Sequence, residues 1–469
     1  MSELSKSFED CVKAMDEALN VSRSFDIIKR ELEINSSKLV FYYIDGFVNA
    51  NPMQKLITHL MGQSSFGEEE IKVEDFIKKS LPSVEISPVY DTETAVTTVL
   101  SGCSVMLCSE IACGGIIIDS RTYPARSVGE PENDKVMRGA RDGFVETLIF
   151  NTALIRRRIR DPRLIVEYHT VGEMSKTDIA IVYIDGKADM EYVKKLGEKI
   201  DKIKTDALPL GHQSLIECLI KKKWYNPFPK VRCTERPDAA SASILEGSVV
   251  VICDTSPEAL LLPTSIFDFL QETDDFYFPP FTGTYLRIVR QLVFWGAIFL
   301  TPVWYLFVIN AEVLPDWISF VVPKNTGNIP LLAQLLLIEV VISGLKIASL
   351  NTPSTMSNSF SVVGGLLLGD FAVQIGWFSP DVIFYMAIES IAGFTQSNYE
   401  LGYAFKFLRM LCLILIGALN CWGLILGVAI GIILIATNET VLGTKTYLYP
   451  LIPFDWKKLK SLLFRVKKQ

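Results

Sequence analysis

"LVFYYIDGFVNA", residues Leu39–Ala50, and "IAIVYIDGKADM", residues Ile179–Met190, each place Tyr-Ile-Asp-Gly between an apolar run and a helical pattern. A tetrapeptide at a common turn arises by chance, so colinear matches around it decide whether a unit is duplicated. With the chain slid along itself by 140 positions, Met53, Lys55, Leu56 and Leu60 meet Val193, Lys195, Leu196 and Ile200. A shift of 143 aligns "VEDFIKK" from Val73 with "IECLIKK" from Ile216, and a shift of 145 brings Leu100 and Gly102 onto Leu245 and Gly247. Three matches in the same order predict two similar α/β subdomains in tandem.

Each copy opens with an expected β-hairpin, "DIIKRELEI" with "KLVFYYI" and "RLIVEYHTV" with "DIAIVYI". Asp-Gly closes the second strand, because Asp tolerates turn geometry and Gly supplies positive φ. A helix follows, with Met53, Leu56, Ile57 and Leu60 at helical spacing. Next come a second helix, a small-residue helix ending at Gly102 or Gly247, and a closing pair of strands rich in Val and Ile. Asp45 and Asp185, at matched corners, read as structural residues. Between the copies, Phe144, Leu148, Leu154 and Ile155 give an apolar face that Pro162 ends, a connecting helix. Its Arg156, Arg157, Arg158 and Arg160 suit either anionic lipid headgroups or a solvated, ion-paired face.

Composition divides the 469 residues. Charge is dense up to about Asp275, whereas Leu286 to Thr437 is largely apolar. The expected domains are 1–24, an N-terminal helical segment; 25–128 and 164–283, the subdomains; 129–163, the connecting helix; 284–450, a helical membrane domain; and 451–469, a basic tail. Met1–Phe25 has no continuous apolar segment of the secretory type, so the first half is expected in the cytoplasm. Nine scattered cysteines without a Cys-x-x-Cys pair agree with a reducing compartment. The net charge of −7 argues against a nucleic-acid surface.

Motifs for chemistry fail one by one. "GEMSKT", Gly172–Thr177, lacks the Gly that a phosphate loop needs directly before its Lys, since Ser175 stands there. His59, His169 and His212 lack metal-ligand spacing, Cys103, Cys108 and Cys113 lack a neighbouring His, and "CTERPD", Cys233–Asp238, suits either a binding loop or, the better reading, a loop locked by ion pairs. No enzyme constellation, cofactor or metal site is expected.

Spanning a bilayer takes about 20 apolar residues. Leu292–Ile309 (with Pro302 as a kink), Ile329–Leu345, Phe360–Ile375 and Val382–Phe394 are the expected spans, and Leu408–Thr437 is an expected hairpin or re-entrant element broken near Asn420 and Gly423. Arg287, Arg290, Lys346, Lys406 and Arg409 mark the cytoplasmic side by charge bias. Glu339 and Glu389 fall at membrane depth, where a lone carboxylate is costly. Together with Lys346, they fit a polar conduction path or an interhelical salt bridge that fixes packing. In "SVVGGLLLGD", Gly364, Gly365 and Gly369 form a close-packing face, and Val362, Leu366 and Leu367 opposite it suit either a narrow pore or ordinary bundle packing.

"RGARDGFVETLIFNTALIRRRIRDPRL", "GEMSKTDIAIVYIDG", "NPFPKVRCTERPD" and "ILEGSVVVICDTSP", in this order before a membrane domain, closely resemble the GerA family of bacterial spore germination proteins, A-subunit type. "LKIASLNTPSTMSNSF" and "SNYELGYAFK" resemble its stage V sporulation protein AF branch. The resemblance implies a protein of the spore inner membrane, pentameric, with a central ion channel, and other germination proteins of that membrane as partners. It brings no catalytic residues.

Overall fold

The computed structural model describes residues 4, 7–34, 37–62, 71–81, 85–111, 114–121, 139–220, 225–272, 274–324, 326–351, 371–395, 398–443 and 446–463. The alternation in the opening stretch sorts its side chains to two faces. Leu39 and Phe41 join one apolar cluster, whereas Val40, Tyr42 and Ile44 join another on the opposite side of the sheet. Both faces are covered, which explains why the run is apolar without interruption.

In the first subdomain, α1 (Phe8–Leu19), β1 (Ile27–Ile34), β2 (Ser37–Ile44), α2 (Ala50–Met61), α3 (Val73–Ser80), β3 (Ile86–Val89), α4 (Thr92–Leu100), β4 (Ser104–Cys108) and β5 (Gly115–Ile118) follow in turn. The second runs α5 (Leu148–Arg158), β6 (Leu164–Val171), β7 (Thr177–Ile184), α6 (Met190–Asp201), α7 (His212–Leu219), β8 (Arg232–Thr234), α8 (Pro237–Leu245), β9 (Val249–Cys253) and β10 (Ala259–Leu262). Sheet orders are β1-β2-β4-β5-β3 and β6-β7-β9-β10-β8, the same topology twice, with every pairing antiparallel. The tandem α/β subdomains are therefore present.

Two details go beyond the sequence reading. The strands β3 and β8 complete each sheet at one edge, and both are too short to carry a period. The helix between the copies spans only Leu148–Arg158, and it packs with α8 on the second sheet as α1 packs with α4 on the first. It opens the second copy of the repeat. The helices α3 and α7 occupy equivalent places, although α7 begins at His212, one turn before Ile216, where the repeated heptapeptide starts.

The Tyr-Ile-Asp-Gly corners share their backbone geometry. Gly46 and Gly186 both have φ +80°. Asp45 N–H donates to Asp26 O and Asp185 N–H to Arg163 O, each at 2.8 Å. The segment before β1 also tethers the copies: Phe25 N–H donates to Val166 O at 3.1 Å, and Val166 N–H donates to Ser24 Oγ at 3.1 Å. Beneath it, Arg156 and Asp26 are 0% and 2% exposed at their side chains and pair at 3.0 Å. Arg156 is thus committed to the fold, and Arg158 is held by Asp142 at 2.5 Å. Those two arginines are withdrawn from the lipid-facing role the sequence allowed.

Residues 223–230, 265–440 and 444–469 form the other compact unit. Its helices are α9 (Asp274–Tyr277), α10 (Pro280–Ile309), α11 (Leu331–Asn351), α12 (Ala372–Gln374), α13 (Pro380–Phe394), α14 (Tyr399–Leu419), α15 (Cys421–Ala436) and α16 (Trp456–Leu463). Pro280–Ile309, Leu331–Ser349 and Tyr399–Leu419 are long and apolar enough to cross a membrane, with mean hydropathies of 2.1, 2.0 and 1.7. Leu292, Trp295, Val340, Ile425 and Ile432 are exposed apolar side chains. That surface suits hydrocarbon, and helices satisfy their own backbone groups there.

The break in the last apolar run falls at Asn420, with φ 54° and ψ −131°, and α14 and α15 pack side by side about it. Gly423 lies inside α15, where a Cβ would fall onto Leu415 O. The helix before the break starts at Tyr399, nine residues ahead of the expected Leu408, because Asn398 caps it by accepting from Leu401 N–H at 2.9 Å. Lys406 and Arg409 therefore lie within a helix rather than flanking one.

Candidate functional site

Four helices of the membrane-type unit bring polar groups to one buried point. Glu339 is on α11, Glu389 on α13, Lys406 and Arg409 on α14, and Thr301 on α10. Lys406 and Arg409 are three apart and so share a helix face. Glu339, Glu389, Arg409 and Thr301 are all buried.

Arg409 is the centre. Its Nε donates to Glu339 Oε1 at 2.9 Å, its Nη2 pairs with both Glu339 Oε1 and Glu389 Oε1, and its Nη1 donates to Ala297 O at 2.7 Å. Thr301 Oγ1 donates to Glu389 Oε2 at 2.7 Å. Lys406 Nζ lies 3.1 Å from Glu339 Oε2, donates to Glu339 O at 2.8 Å, and bonds Ser343 Oγ. Two carboxylates face two cations, so the formal charge of the cluster is zero. An uncompensated charge at such depth costs several kcal/mol, and mutual neutralisation with saturated hydrogen bonding is what lets the cluster persist.

Of the residues singled out in the sequence, Glu339 and Glu389 come together here. Lys346 does not join them; its Nζ sits 4.7 Å and 5.1 Å from the ring centroids of Tyr399 and Tyr403. Arg287 and Arg290 pair with Asp275 at 3.1 and 2.9 Å. Val362, Leu366 and Leu367, with Gly364, Gly365 and Gly369, lie outside the described residues. Sequence reasoning missed Lys406, Arg409 and Thr301. The cap at Asn398 was the available signal for the first two, since it extends the helix back through them. Thr301 carried none. In "CTERPD" the lock is present, Arg236 pairing with Asp238 at 2.7 Å.

Comparison with known proteins adds the lineage. The sequence profile described as Bacillus/Clostridium GerA spore germination protein matches residues 13–469. The chain belongs to the GerA family. This GerA-family chain is 36% identical over 450 residues to stage V sporulation protein AF of Bacillus subtilis (strain 168), covering 96% of this chain and 90% of that protein. It is 28% identical to spore germination protein KA of the same organism, over 95% of this chain and 82% of that one. With spore germination protein GerLA of Bacillus cereus the identity is 27%, over 94% and 90% of the two chains. Among solved structures, it is similar to the N-terminal domain of the A subunit of the Bacillus megaterium spore germinant receptor GerK3, at 24% identity and TM-score 0.42, covering 56% of this chain and 96% of that domain.

Proposed function

We propose that this GerA-family membrane protein is a subunit of a homo-oligomeric ion channel that releases cations during spore germination. The supporting observation is the buried cluster of Glu339, Glu389, Lys406 and Arg409, joined by Thr301, at the depth of the apolar helices. Intramembrane ionisable groups are otherwise rare and accompany ion pathways or packing locks. In the proposed arrangement the protein sits in the spore inner membrane as a pentamer, the α/β subdomains on the core side, together with other germination proteins. Val362, Leu366 and Leu367 form the narrowest part, a reading that rests on the sequence alone.

The purified protein in liposomes tests this directly. Release of monovalent cations by the protein alone is expected, with faster leak for Val362→Ala and altered conductance for Glu389→Gln. Liposomes that remain tight would count against the channel.

A second reading is a non-conducting scaffold that organises other germination proteins. It is favoured by the saturation of the cluster: each acid already has a cationic partner and no net charge remains to attract an ion. Tight liposomes combined with recovery of other germination proteins from spore membranes would select it.

A further inference from the structure

His212, Cys233 and Glu258 come from three places in the second subdomain, and one ligand-type atom from each lies within 4.8 Å of the others. Strand pairing sets two of them. Cys233 on β8 is opposite Leu260 on β10, and paired residues of an antiparallel ladder share a face. Glu258 reaches the same face by the strand period of two. His212 heads α7, which packs on that face through Leu215 and Leu219.

The imidazole is oriented at both nitrogens. Nδ1 hydrogen-bonds Ser256 Oγ, and Nε2 lies 3.1 Å from Glu258 Oε2. Gly211 permits the close approach: it has φ +51°, and a Cβ there would stand 3.2 Å from Ser256 Cβ. Pro257 restricts the short link between Ser256 and Glu258. Ser256 is only 2% exposed, which rules it out as an accessible nucleophile beside the histidine.

We propose that His212 Nε2, Cys233 Sγ and the Glu258 carboxylate bind a divalent transition-metal ion, with zinc the best match to this nitrogen, sulfur and oxygen set. All three side chains are half-buried, so the ion enters from solvent and a fourth position is open to water. Tetrahedral zinc places its ligand atoms about 3.5 Å apart; His212 Nε2 and Glu258 Oε2, at 3.1 Å, are already that close, so any inward movement on binding falls to Cys233 Sγ. Cys233 gives up its thiol proton to solvent and binds as thiolate. The Ser256 contact fixes the ring with Nε2 toward the ion, as outer-shell partners of metal-bound histidines do. Pattern matching does not find this set, because the residues sit far apart in sequence and converge only in the folded sheet.

The test uses the full-length protein in detergent, stripped with a chelator, dialysed, and titrated with Co²⁺ alone. One equivalent per chain is expected, with the visible bands of tetrahedral cobalt and a thiolate-to-cobalt charge-transfer band, both lost on adding Zn²⁺. Cys233→Ser should abolish the charge-transfer band, and Ser256→Ala should weaken binding roughly ten- to a hundredfold. Cys218→Ser, altering an exposed cysteine outside the set, should leave the titration unchanged. Absence of the band in the unaltered protein, its survival in Cys233→Ser, or its loss in Cys218→Ser would each overturn the assignment. Should Cys233→Ser fail to fold, Glu258→Gln decides: affinity lower by about tenfold or more supports the site, and equal affinity overturns it.

Discussion

Arg409 and Glu339, seventy positions apart, meet in a buried contact in which Nε donates to Oε1 at 2.9 Å. The same guanidinium also serves Glu389, and its planar fork is what allows one residue to hold two acids and a carbonyl at once. Replacing it with Met takes away the cation that Glu389 pairs with and leaves Glu339 to Lys406. Arg409→Met should lower stability by about 3–5 kcal/mol, read as a lower melting temperature of the detergent-solubilised protein. Arg409→Lys should recover little of this, because an ammonium cannot reproduce the fork.

The tether between the subdomains offers a second test. Arg156 and Asp26 are both buried, with Ser24 Oγ donating to Asp26 Oδ1 at 2.6 Å. Asp26→Ala leaves a buried guanidinium without its acid and should cost about 3–5 kcal/mol in denaturant unfolding of the full chain. The double variant Asp26→Ala with Arg156→Met should cost less than the two single losses added together, since no uncompensated charge remains. Additive losses would deny the coupling.

Gly46 and Gly186 share φ +80° but differ in their surroundings. A Cβ at Gly46 would stand 2.9 Å from Ile149 Cγ2, whereas at Gly186 nothing lies within 4 Å. Gly186→Ala should therefore cost only the left-handed backbone term, about 1–2 kcal/mol. Gly46→Ala should cost more, because α5 must also shift. Equal losses in thermal unfolding would show that the contact with Ile149 carries nothing.

Burial pushes the Cys108 thiol up to about 11 and that of Cys253 up to about 12. Both stay protonated at neutral pH, and the thiolate is the reactive form. A maleimide should label exposed Cys218 first, and should reach Cys108 and Cys253 only on unfolding, as mass spectrometry of the labelled peptides would show.

At Gly423, a Cβ would fall onto the Leu415 carbonyl across the α14–α15 contact. Backbone does not yield as a flexible side chain does, so Gly423→Ala should destabilise by about 3 kcal/mol or more and reduce the yield of folded protein. Gly402→Ala, with open space around it, is the matching control and should be tolerated.

The duplicated α/β unit was legible in the sequence because strand and helix periods are local and because two copies of one fold conserve the same corner. Tyr43–Gly46 and Tyr183–Gly186 needed no partner to be recognised. Apolar length announced the membrane helices for the same reason, and an acid inside such a run, as at Glu339 and Glu389, is conspicuous by its solvation cost. The short edge strands β3 and β8, the place of α5 as first helix of the second copy, and the partners of those acids depended on the fold. Arg409 reads as a flanking charge until its helix is seen to begin at Tyr399, and Thr301 reads as an ordinary hydroxyl until α10 lies against α13. His212, Cys233 and Glu258 likewise have no common spacing. Local sequence sets periodicity and hydropathy, whereas charge pairing and ligand convergence are properties of side chains brought together over long separations, and only tertiary structure sets those distances.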